Sequence, residues 1–99
     1  MEYPKFISMT RQDNPLDIIC LRLLSTESKS ASYYRDGGQW DATVRIIDEK
    51  MECEIDYTGA KNEAIECTYE VWKKNNGQYS EGITEDGEDS TSNNFELPF

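Results

Sequence analysis

The chain has 99 residues, 10 basic and 20 acidic, no histidine and a formal net charge of −10. This length suits one domain with a single core. No run of about 18 apolar residues marks a membrane span, and a net-negative chain is short of the cations that phosphate binding requires.

The acidity is uneven. From Glu81 to Phe99 there are six acids and no base, whereas fourteen acids and ten bases precede Glu81. No positively charged apolar leader opens the chain, so an intracellular setting in cytoplasm or nucleus, away from membranes, is expected. Cys20, Cys53 and Cys67 are widely spaced. With no histidine to complete a ligand set, they read as reduced core thiols, and no metal or cofactor is expected. The commonest general base is missing too, and no nucleophile-elbow, phosphate-loop or dinucleotide fingerprint occurs. Catalysis is not expected.

Residues 1–12 mix apolar and charged residues without a sustained period and read as an N-terminal arm, in which Tyr3, Phe6, Ile7 and Met9 offer a short strand. Asn14 is a good helix cap, Pro15 suits the first helical position, and Asp17 adds negative charge to the first turn. Leu16, Ile19, Cys20, Leu23 and Leu24 follow helical spacing. A buried strand is the rival reading of Ile18–Leu24, but the start signals favour a helix ending near Ser25 to Glu27. Ser28–Ser32 is a polar connector, Ala31–Arg35 a short strand, and Asp36-Gly37-Gly38 a turn.

Two alternating runs come next. Trp40, Ala42, Val44 and Ile46 share one face; after a tight turn at Asp48–Lys50, Met51, Cys53, Ile55 and Tyr57 share another. Both read as half-buried antiparallel strands. The polar face of the second is wholly acidic, with Glu52, Glu54 and Asp56. Thr58–Gly77 then reads as the longest helix. Ala60, Ala64, Ile65, Cys67, Tyr69, Val71 and Trp72 fall on one side; Thr58 caps it, Lys73 and Lys74 lie at its C-terminal end, and Gly77 stops it. Ile65, Cys67, Tyr69 and Val71 also alternate as a strand would, over only seven residues. Residues 79–99 are rich in Gly, Ser, Thr, Asn and acids and read as a disordered acidic tail. Its apolar end, Phe95–Phe99, has the makings of a short linear motif.

The expected fold class is therefore α+β: an α-β-β-β-α order with two helices packed on one face of a three-stranded antiparallel sheet, spanning residues 13–78. Asn14-Pro15, then Trp40, Ala42, Val44 and Ile46, then Gly59, Ala60, Lys61, Glu63, Ala64, Cys67, Thr68 and Val71 resemble the packing motifs of the double-stranded RNA-binding domain family over residues 13–76. That family grips duplex RNA through three patches, and the chain departs from each. Ile19-Cys20-Leu21 offers no polar contact, and Asp36-Gly37-Gly38-Gln39 lacks the family's Pro and His. Lys61 stands alone, with Asn62 and Ile65 where two further lysines belong. Losing such charge-assisted contacts removes about 1 kcal/mol or more each.

The resemblance then implies a divergent, non-catalytic adaptor or inhibitor that binds a protein partner, in RNA processing or RNA silencing. The partner would be a basic protein or another domain of the same family. It would pair with the strand Met51–Tyr57 as a sheet edge carrying Met51, Glu52, Glu54 and Asp56, with Tyr69 and Trp72 as aromatic anchors. Residual binding of double-stranded RNA through Lys61, Lys73, Lys74 and Arg35 is the alternative. A further one is an acidic inhibitor, either a nucleic-acid mimic or of the immunity type.

Overall fold

The computed structural model describes residues 2–10, 14–36 and 41–88. Its six strands are β1 (Phe6–Thr10), β2 (Ile18–Thr26), β3 (Ala31–Tyr34), β4 (Asp41–Ile47), β5 (Lys50–Ile55) and β6 (Lys61–Glu66). Each pairs antiparallel with the next, and β6 pairs back with β1, so the sheet closes into a barrel. One helix, α1 (Tyr69–Asn76), runs into a 3₁₀ turn at Gly77–Ser80 and packs on β1 and β2 from outside. The α-β-β-β-α order with two helices on a three-stranded sheet is thus overturned.

Two misread segments account for the difference. Asn14 starts a turn instead of a helix: its backbone carbonyl accepts from the Asp17 amide at 2.9 Å and its side chain accepts from the Leu16 amide at 3.3 Å. Asn-Pro serves turn initiation as readily as helix capping. The run after it is β2, with Ile19 and Leu21 facing inward and Cys20 and Arg22 outward. Cys20 is apolar because α1 covers it, and apolar residues on both faces hide the period of two.

The second segment is Thr58–Gly77. It divides into a turn, a strand and a short helix. Gly59 adopts φ +74°, and the Thr58 hydroxyl accepts from the Ala60 amide at 3.2 Å. This closes the β5–β6 hairpin where a helix start was expected. The cap of α1 is Thr68, whose hydroxyl accepts from the Val71 amide at 3.2 Å. Gly77, at φ +55°, ends the helix as its sequence suggests, and Lys73 and Lys74 occupy the last turn.

The middle of the chain follows its alternation as far as Ile55; Tyr57, expected on the same face, lies past β5 and is 85% exposed. Ala42 and Val44 on β4, and Met51, Cys53 and Ile55 on β5, point into the barrel with Ile7, Met9, Ile19, Leu21, Ala31, Tyr33 and Ala64. These side chains fill the interior, as expected of a barrel this narrow. Tyr33 is fully buried, and its hydroxyl donates to the Pro4 carbonyl at 2.5 Å. The β4–β5 turn is made by Asp48 and Glu49, both at positive φ, the backbone shape that matches strand twist in two-residue hairpins. Trp40 lies outside the described residues.

A second apolar cluster lies on the outer wall, where Phe6, Cys20, Cys67, Trp72 and Ile83 pack with Tyr69. Ile83 belongs to the segment assigned by sequence to the tail. It is 6% exposed, and its carbonyl accepts from the Tyr69 hydroxyl at 2.7 Å. Arg22 ties the same segment down: it makes a bidentate pair with Asp36 at 2.8 and 3.0 Å and donates to the Gly87 carbonyl at 3.1 Å. Residues 79–88 therefore pack onto the domain, while the Phe95–Phe99 motif lies outside the described residues.

Candidate functional site

Barrel closure redistributes the residues that the sequence singled out. β5 lies between β4 and β6 and is not a sheet edge. Met51 faces the interior at 3% exposure, so it packs the core. Trp72 is 0% exposed, packed at a tilt against Phe6 with ring centroids 4.9 Å apart, and Tyr69 is half-buried in the same cluster. These aromatics hold α1 to the barrel instead of awaiting a partner. Glu52 and Glu54 do face outward, and Asp56, just past β5, accepts from the Thr43 hydroxyl at 2.9 Å.

The cations are dispersed. Lys61 opens β6 in register with Glu54. Lys73 and Lys74 end α1, with the Lys73 ammonium 5.7 Å from the Tyr69 ring centroid. Arg35 follows β3. On one side of the barrel β1 and β2 intervene between β6, which carries Lys61, and β3, which Arg35 follows.

What the fold does bring together is the outer face of β4, β5 and β6. Ile47 pairs with Lys50, and Ile65 lies one residue beyond the Met51–Ala64 pair that Lys50 precedes. Ile47 and Ile65 are 50% and 61% exposed. In the next outward row, Arg45, Glu52 and Glu63 are in register across the three strands. Arg45 turns diagonally to Glu54, at 3.5 Å. Glu52 and Glu63 therefore face each other as like charges on adjacent strands, an arrangement that disfavours the fold.

An open groove of about 510 Å³ runs over this face, lined by Thr10, Ile47, Lys50, Glu52, Lys61 and Glu63 among others. A second, of about 620 Å³, shares Lys50 and Glu63 and continues toward Tyr3, Lys5 and Ile65. The groove meets the barrel seam. β1 joins β6 through Ile7–Glu66 and Ser8–Ile65. Beyond Ser8, no register pair among the described residues links Met9 and Thr10 to Ala64 and Glu63. The groove borders this stretch of the seam.

Ile47, Lys50, Glu63 and Ile65 were missed by sequence reasoning. One signal was available: Ile47 directly follows Ile46, breaking the alternation of β4 and leaving an isoleucine on the outer face. Glu63 and Ile65 carried no such signal while their segment read as helix.

Burial favours the protonated form of all three thiols. Burial pushes the Cys53 thiol up to about 12 and that of Cys20 likewise to about 12, and burial also raises Cys67. Among the described residues, no helix is long and apolar enough to cross a membrane. Comparison with protein-family models, curated proteins and solved structures yields no match.

Proposed function

We propose that this domain is a non-catalytic protein-interaction module that takes an extended, basic segment of a partner into the groove over β4, β5 and β6. The observation that carries this reading is the Glu52–Glu63 pair, in direct register, lining the groove one row from exposed Ile47 and Ile65. Two carboxylates held together on adjacent strands destabilise the free domain. A guanidinium or ammonium placed between them turns that repulsion into two attractive contacts. The isoleucines offer apolar surface to the stem of the same side chain. The stretch of seam without register pairs borders the groove and gives an extended backbone somewhere to lie, in the manner of strand addition.

A display selection of random peptides against the full chain tests this, followed by affinity measurements on a Glu52→Gln/Glu63→Gln variant. Selected peptides are expected to carry Arg or Lys flanked by aliphatic residues, and to bind the variant about tenfold or more weakly, a loss of about 1.4 kcal/mol. Peptides without basic residues that bind both proteins equally would overturn the reading. Duplex RNA binding of similar strength, unaffected by the same changes, would point to the dispersed lysines instead.

A further inference from the structure

Cys20 and Cys67 lie 47 positions apart in the chain, yet their sulfurs are 3.8 Å apart. Cys20 faces outward from β2; Cys67 follows β6 and leads into the cap of α1, with β1 running between the two strands. Phe6, Trp72 and Ile83 enclose the pair. Both are free thiols, and the third cysteine, Cys53, belongs to the separate cluster inside the barrel.

We propose that Cys20 and Cys67 are a peroxide-sensitive thiol pair whose disulfide staples β2 to the end of β6. Cys67 is the residue oxidised first. It is 9% exposed where Cys20 is 0%, and its thiol donates to the Thr68 carbonyl at 3.3 Å in a link between elements. Burial and the neighbouring thiol both raise Cys20, whereas hydrogen bonding with Cys20 and with the Trp72 amide offsets part of the rise that burial causes at Cys67. The Cys67 sulfur attacks one oxygen of hydrogen peroxide; the O–O bond breaks, giving a sulfenic acid and water. The Cys20 sulfur then attacks the Cys67 sulfur, an S–S bond forms, and the S–O bond breaks to release a second water. Two thiols lose two protons and two electrons, and one peroxide takes them up to become two waters.

Closing 3.8 Å to the roughly 2.05 Å of a disulfide requires side-chain rotation and a shift of the Cys67–Thr68 link toward β2. Such a bridge spans β1. It secures the end of the β1–β6 seam that is paired through Ile7–Glu66 and Ser8–Ile65.

The test uses the full chain, exposed to hydrogen peroxide, alkylated and mapped by peptide mass spectrometry, with and without denaturant. In the folded protein the alkylatable thiols should fall from three to one, the survivor being Cys53, and a reductant should restore all three. In denaturant, cross-links to Cys53 should appear as well. The proposal is overturned if native cross-links include Cys53 in the same proportion as in denaturant. It is equally overturned if Cys67 accumulates as sulfinic acid beside a still-alkylatable Cys20, or if all thiols survive a dose that cross-links the unfolded chain. Amide exchange supplies a second readout: oxidation should slow exchange at the seam residues Ile7, Ser8, Ile65 and Glu66, and unchanged rates would sink the stapling role.

Discussion

Trp72 shows how a single side chain divides stability from function. It is fully buried between α1 and the barrel wall, against Phe6 and near Tyr69, and its indole N–H finds no acceptor among the described residues. Trp72→Ala should lower unfolding free energy by about 3–5 kcal/mol through lost burial and the cavity left behind. Trp72→Phe keeps most of the ring contact and removes an unpaired donor, so its loss should be under about 2 kcal/mol. Urea unfolding of both variants checks this, and equal losses would mean that the ring area is not what α1 depends on. Glu63 lies at the other extreme: exposed, opposed by Glu52, and contributing nothing to the core. Its place in a row was invisible while residues 58–77 read as one helix, because helical spacing puts Glu63 and Glu66 together and never pairs Glu63 with Glu52.

Among the elements, the β4–β5 hairpin was readable because its information is local. Val44, Cys53 and their neighbours alternate cleanly, and Asp48-Glu49 is short enough to require a tight turn. Both turn residues hold positive φ without being glycine, Glu49 at +68°. L-residues are disfavoured there. Glu49→Gly should therefore raise stability by up to about 1 kcal/mol, measured as a higher urea midpoint with unchanged slope. A drop would show that the Glu49 side chain makes contacts worth more than the relief. α1 was half readable: its stop at Gly77 and its terminal lysines are local features, but its start was placed ten residues early, at Thr58 instead of Thr68. Both threonines cap something; Thr58 bonds into a hairpin turn and Thr68 into a helix. The hydroxyl chemistry is the same at both positions, and the strand or helix that each threonine leads into decides the outcome.

At the scale of the whole molecule, the barrel interior and the outer cluster both bury thiols, and this ties stability to pH. Cys20 and Cys53 move from an ordinary value of 9.0 to about 12, chiefly because burial penalises the thiolate. Below pH 9 both thiols are protonated, folded or unfolded, and their contribution is fully present. Above it the unfolded chain releases protons that the folded chain retains, so stability falls as pH rises from 9 toward 12. Tyr33, also raised by burial, adds to the decline at the upper end. Urea midpoints across this range should fall steadily, and Cys53→Ala should flatten the slope; a flat wild-type profile would contradict the burial of these groups.

By itself, the sequence determined the inward set of β4 and β5, the tight turn between them, the end of α1 and the acidic outer face of β5. Each depends on residues a few positions apart. Only the tertiary structure decided that residues 18–26 and 61–66 are strands, that β5 is central, and that Trp72 is core. A helix satisfies its own backbone, whereas a strand is satisfied by distant partners, as Ile7 is by Leu21 on one side and Glu66 on the other. Closure also removes most of the sheet edge that sequence reasoning had assigned to β5. What lacks register pairs among the described residues is the far end of the β1–β6 seam, near Glu52 and Glu63, which pair across β5 and β6.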